Sequence, residues 1–107
     1  MKKGDIVLIP FPFTDLSGNK NRPAIILTDS KDDVTVSFIT TRLKWQEEYD
    51  ISVNPSEKNG LKKISLIRIN KIATVDKDLL IGRLGTLEDH YIELLNKNLI
   101  RILKLEK

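Results

Sequence analysis

The chain has 107 residues, a formal charge of +3 at pH 7 and 40% hydrophobic residues, enough for one domain with a modest core and no cross-links. It has no cysteine and one histidine, which excludes a disulfide frame and a thiolate metal site, and no Ser/His/Asp order can be written around the lone His90. No apolar segment of signal-peptide type follows Met1-Lys2-Lys3 and no uninterrupted apolar run approaches bilayer thickness, so a cytoplasmic protein without a membrane partner is expected.

Ile6 to Ile9 is a continuous apolar run before Pro10 and Pro12, which predicts a strand buried on both faces. A polar loop rich in Ser, Gly, Asn and Lys follows and ends at Arg22-Pro23. Pro23 fixes its own φ and pushes Arg22 away from helical geometry. The planar guanidinium fork matches phosphate oxygens, yet from local sequence alone Arg22 reads as a loop arginine in a weak surface ion pair. Ala24 to Thr28 predicts a second strand, closed by the turn-like Asp29-Ser30-Lys31-Asp32-Asp33. Val34 to Thr40, rich in β-branched residues, predicts a third. Tyr49 to Val53 predicts a fourth, and Ser65 to Ile69 a fifth that Ile72 to Val75 continues after a break. Short strands at this spacing suggest a small barrel. Trp45 and Tyr49 bracket Gln46-Glu47-Glu48 and are expected at a core edge or an interface rather than as a stacking surface.

The period then changes. Thr86 is placed to cap a helix, with Glu88 and Asp89 complementing its N-terminal dipole. Leu87, Tyr91, Leu94, Leu95, Leu99 and Ile102 recur at helical spacing and predict a stripe packed on the barrel. His90 falls with Glu93, Lys97 and Arg101 on the polar side, toward water.

Charge is uneven along the chain. Residues 1–50 carry seven Lys/Arg against eight Asp/Glu, and residues 51–80 carry six against three. That excess, Lys58, Lys62, Lys63, Arg68, Lys71 and Lys77, is compatible with a phosphate-backbone footprint and equally with a solvated surface. Asp32-Asp33 is a turn pair rather than a catalytic dyad, and no phosphate-binding loop or nucleotide fingerprint is present. Catalysis by this chain is expected to use neither metal nor histidine, and no cofactor is implied.

Taken together, Gly4-Asp5, the first apolar strand, Phe11-Pro12-Phe13, the polar loop, Arg22-Pro23 and the second strand resemble the PemK/MazF family. The likeness continues through Val36-Ser37-Phe38-Ile39-Thr40-Thr41, Ser65-Leu66-Ile67-Arg68, Thr74-Val75-Asp76-Lys77 and Gly82-Arg83-Leu84-Gly85 to the last helix. The resemblance implies a mainly β, SH3-like barrel with a C-terminal α-helix over residues 1–107, assembled as a homodimer. It implies the toxin of a type II toxin–antitoxin pair that cleaves single-stranded messenger RNA at specific sequences. Attack by the 2′-OH would leave a 2′,3′-cyclic phosphate and a 5′-OH, and a cognate acidic antitoxin would cover the groove.

By the same resemblance, Arg22 stabilises charge at the phosphate and Thr40 stands beside it as a hydroxyl donor, although Thr40 alone reads as an ordinary strand residue. Arg68 is a second candidate for phosphate binding or acid assistance. Where some members carry a carboxylate base, this chain has Asn70, which can orient a hydroxyl but cannot take its proton. Glu47, Asp50 and Asp15 are the substitutes the sequence leaves open. RNA contacts are expected from Phe13, Ser17, Lys20, Asn21, Thr41, Arg42 and Lys44 in the polar loop and at strand ends. Two other classes fit the same barrel: a gyrase poison that binds a protein, and a non-catalytic RNA- or protein-binding barrel.

Overall fold

The computed structural model describes residues 1–10 and 21–106. Six strands form one antiparallel sheet: β1 (Asp5–Pro10), β2 (Asn21–Asp29), β3 (Asp33–Thr40), β4 (Ile51–Val53), β5 (Ser65–Asp76) and β6 (Gly82–Thr86), followed by helix α1 (Asp89–Ile102). The spatial order is β4-β5-β3-β2-β1-β6. The sheet curls into a half-barrel with the helix against it, the mainly β architecture the sequence implied.

Continuous apolar runs form β1 and β2 because both faces of the sheet are covered. One face holds Ile6, Ile25, Ile39, Ile51, Ile67 and Ile69 with Leu87 and Leu95 from the helical region. The other holds Val7, Ile9, Ala24, Ile26, Val34 and Val36, against which Phe38, Val75 and Leu80 pack. Each fully buried aliphatic side chain contributes about 1.5–3 kcal/mol; truncating Ile67 to Ala would cost roughly 2–5 kcal/mol. Helix α1 is amphipathic and sets Leu95, Tyr91, Ile92, Leu99 and Ile102 on the first face. Its Asn98 Nδ2 donates to the Tyr49 carbonyl at 2.9 Å.

Several expectations change. β2 begins at Asn21, so Arg22 and Pro23 lie within a strand rather than in a loop. Pro23 pairs with Leu8 on β1, while pairing to β3 begins at Ala24, so its missing N–H interrupts no bond on that side. Tyr49 and Asp50 precede β4. The break expected after Ile69 is an irregularity inside one long strand: Ser37↔Ile72 is followed by Phe38↔Arg68, leaving Ile69, Asn70 and Lys71 as three extra residues on β5. Ser37, fully buried, pins this bulge by donating its hydroxyl to the Ile69 carbonyl at 3.2 Å.

Thr86 does not cap the helix. It ends β6 and donates to Asp5 Oδ1 at 3.0 Å, while Glu88 occupies the cap position without a side-chain cap bond. Leu94 is 41% exposed and falls outside the packed stripe. Gly82-Arg83-Leu84-Gly85 is an edge strand whose glycine has a steric reason. A Cβ at Gly85 would sit 2.3 Å from the Lys58 carbonyl oxygen, and Gly60, at φ +72, likewise abuts the Leu84 carbonyl. The loop that approaches so closely is fixed by fully buried Asn59, whose amide donates to the Asn54 carbonyl and to Glu88 Oε1.

Candidate active site

The sheet register places the candidate residues. Ile9 pairs with Arg22, and Thr40 pairs with Leu66. The β2–β3 pairing starts at Ala24↔Phe38, and Arg22 and Thr40 are the residues two positions beyond that pair on their respective strands. Side chains two apart share a face, so Arg22 and Thr40 lie on the face of Ala24, Phe38 and Arg68. These last three form the adjacent row through Ala24↔Phe38↔Arg68. Arg22, Thr40 and Arg68, separated by up to 46 positions in sequence, therefore share one face.

The two arginines differ in electrostatic state. Arg68, with its side chain 12% exposed, has Nη2 2.8 Å from Glu47 Oε1 and Nε 2.9 Å from Asp50 Oδ2. The Nε–H is not aimed along its short contact, which is ionic rather than hydrogen-bonded. Asp50 is fully engaged: Oδ1 accepts the Ile69 N–H at 3.1 Å and Oδ2 the Glu47 N–H at 3.0 Å. Arg22 has no carboxylate within ion-pair distance among the described residues, and its Nε is buried without a hydrogen-bond partner. A guanidinium left in this state is set to receive an anion.

Thr40 is 8% exposed. Its Oγ1 accepts the Arg42 N–H at 3.2 Å, and no described residue receives its own hydroxyl proton. The chain then makes a 3-10 turn, Leu43–Trp45, that buries no residue. Arg42 and Arg68 both stack on Trp45, with guanidinium carbons 5.0 and 5.8 Å from the ring centroid. Trp45 is 44% exposed, so of the two places expected for it, a core edge or an interface, it does not occupy the first.

Of the remaining candidates, Asn21 opens β2, and Thr41, Arg42 and Lys44 are exposed beyond the end of β3. Asn70 is exposed on the β5 bulge. Phe13, Ser17, Lys20 and Asp15 lie outside the described residues. The basic excess is partly neutralised, since Arg68 holds two carboxylates and Lys77 pairs with Asp29 at 2.8 Å. That pairing, mainly its hydrogen bond, holds the Asp29 carboxyl below its usual pKa. His90 is exposed on α1, its ring 4.1 Å from that of Tyr91. No group of three or more His, Cys, Asp or Glu among the described residues is arranged to hold a metal ion, and none of their helices is long and apolar enough to cross a membrane. Sequence reasoning missed the carboxylate clamp on Arg68. Its signal was the Glu47-to-Asp50 segment leading into a strand that pairs with β5.

Comparison with known proteins gives the site its context. No curated protein matches the chain in sequence at a significant level. The fold is similar to a mycobacterial endoribonuclease solved in complex with its cognate antitoxin, with TM-score 0.77 and 19% identity over 100% of this chain and 98% of that one. It is similar to the Mycobacterium tuberculosis toxin MazF-mt6, with TM-score 0.77 and 22% identity over 96% and 99%. A further mycobacterial endoribonuclease gives TM-score 0.71 at 20% identity over 97% and 91%. Residues 2–103 match the model of the PemK-like, MazF-like toxins of type II toxin–antitoxin systems, and the chain belongs to that family.

Proposed function

We propose that this toxin is a sequence-specific endoribonuclease that cleaves single-stranded RNA without a metal ion, using Arg22 and Thr40. The observation that supports this most is Arg22, whose buried Nε has no hydrogen-bond partner and which has no carboxylate partner among the described residues, on the face that carries Thr40 and where Arg68 is already neutralised. RNA carries its own nucleophile, so the protein need only orient the strand, stabilise charge and move protons. The 2′-oxygen forms a bond to the adjacent phosphorus, the bond from phosphorus to the 5′-oxygen breaks, and a 2′,3′-cyclic phosphate and a 5′-OH result. Arg22 holds the non-bridging oxygens as negative charge grows, and the Thr40 hydroxyl donates one further hydrogen bond. The 2′ proton passes to a carboxylate, and the leaving 5′-oxygen gains a proton from solvent or Arg22.

Asn70 cannot serve as that carboxylate, and both Asp50 oxygens already accept a backbone N–H, with Oδ2 also held by Arg68. Glu47 holds Arg68 through Oε1 and leaves Oε2 without a described partner, so Glu47 is assigned as the base among the candidates that lie in the described residues. Homodimer formation, an acidic antitoxin segment as restraint, and action on cytoplasmic messenger RNA complete the reading, in line with an endoribonuclease neighbour solved with its antitoxin. Incubating purified protein with a long RNA in excess EDTA and analysing the new ends is the test. Cyclic phosphate and 5′-OH ends are expected, together with resistance when the scissile nucleotide is 2′-deoxy. Intact RNA, with inhibition of gyrase supercoiling or mere RNA retention instead, would replace this reading with one of the non-nuclease classes.

A further inference from the structure

We propose that Trp45, flanked by Arg42 and Arg68, is the platform on which one nucleobase of the bound RNA stacks, with Arg42 holding that nucleotide's phosphate. The inference rests on the ribonuclease reading above and adds a recognition subsite to it. The turn Leu43–Trp45 contributes nothing to either core: Leu43 is 45% and Trp45 44% exposed. A large aromatic left half in water gains most when a second π-face covers it.

The ring is nevertheless held in place. The turn that carries it is closed by two backbone bonds, the Trp45 backbone N–H to the Arg42 carbonyl at 3.1 Å and the Gln46 backbone N–H to the Leu43 carbonyl at 3.2 Å. Arg68, itself fixed by Asp50 and Glu47, supports the indole from the sheet. A ring ordered in advance loses little freedom on stacking. Arg42 is the exposed cation of the set, with no carboxylate partner among the described residues. Its N–H on Thr40 Oγ1 ties the platform to the proposed catalytic hydroxyl. Arg42 lies over the ring at 5.0 Å; moved from the ring to a phosphate, this uncompensated guanidinium exposes the indole face to the attached base.

Trp45 is the chain's one tryptophan, so intrinsic fluorescence of the unmodified protein reports on this ring alone. The probe is an oligonucleotide spanning the wild-type cut site, 2′-deoxy at the scissile nucleotide, with binding followed independently by the anisotropy of a dye on that oligonucleotide. Saturable quenching of Trp45 in step with binding is expected. Trp45→Ala is expected to raise KM for cleavage roughly tenfold, the scale of one base–aromatic stack, with kcat within about threefold. Trp45→Phe should restore most of that loss. Binding and cleavage with unquenched emission, or an unchanged KM in Trp45→Ala, overturn the platform and leave the nuclease standing. Quenching by polyglutamate but not by the oligonucleotide assigns the ring to an acidic polypeptide, and a blue shift on raising protein concentration alone assigns it to contact between copies; either overturns it. If the wild type cuts no RNA, the nuclease reading and the platform fall together.

Discussion

Arg68 and Asp50 face each other at the edge of the sheet, Nε to Oδ2 at 2.9 Å, and the same carboxylate receives the backbone N–H groups of Ile69 and Glu47. One buried acid thus neutralises an arginine, anchors the start of the β5 bulge and closes the turn before β4. Removing its charge leaves Arg68 mostly buried beside Glu47 alone. Asp50→Asn is expected to lower stability by roughly 3 kcal/mol, the scale for breaking a buried pair, measured by denaturant titration. A loss below about 1 kcal/mol would mean that solvent screens the pair as it does a surface one.

Two glycines of one edge strand should behave oppositely. A Cβ at Gly85 meets the Lys58 and Asn59 carbonyl oxygens at 2.3 and 2.7 Å, whereas a Cβ at Gly82 meets nothing within 4 Å. Gly85→Ala is expected to cost more than about 3 kcal/mol or to prevent folding, and Gly82→Ala to stay within about 0.5 kcal/mol of the parent. Equal melting temperatures for the two variants would contradict the close loop-to-strand approach.

Glu88 supplies a pH signature of the same loop. Burial pushes its carboxyl up, but hydrogen bonds from Ser56 Oγ, from its own backbone N–H and from Asn59 together pull it below the ordinary 4.5. A depressed folded pKa stabilises the fold above the unfolded value, and that contribution is lost as pH falls through the folded one. Stability should therefore drop as pH is taken below 4.5, and Glu88→Gln should flatten that part of the curve. A curve unchanged by the substitution would remove Glu88 from the acid response.

The strands were legible in the sequence because burial on both faces leaves unbroken apolar runs such as Ile6 to Ile9. Thr86 was misread because Ser, Thr and Asp preferences cannot tell a helix cap from a strand end that binds Asp5. β6 escaped notice because its Gly85 answers to a loop distant in sequence, around Lys58 and Asn59. In the candidate site, Arg22 and Thr40 were nameable through family resemblance, while the state of Arg68 depends on a cross-strand partner that no local pattern specifies.

Proton transfer separates Glu47 from His90. Glu47→Gln keeps an acceptor for Arg68 but cannot take a proton, so cleavage is expected to fall by roughly a hundredfold. His90, exposed on the helix, should be replaceable by Gln with most of the turnover retained. Steady-state cleavage rates of the two variants give the answer, and a reversed order would move the base to the helix.

The central claim is that the Arg22 guanidinium carries the phosphate chemistry, and the most direct test is the cleavage rate of folded Arg22→Ala in EDTA, with Thr40→Ala beside it. Arg22→Ala is expected to lose roughly two or more orders of magnitude, the scale for removing a transition-state donor. Thr40→Ala should lose less, because a neutral hydroxyl contributes one uncharged hydrogen bond. Near-parental turnover by Arg22→Ala with circular dichroism unchanged would mean that Arg22 does not carry the phosphate chemistry.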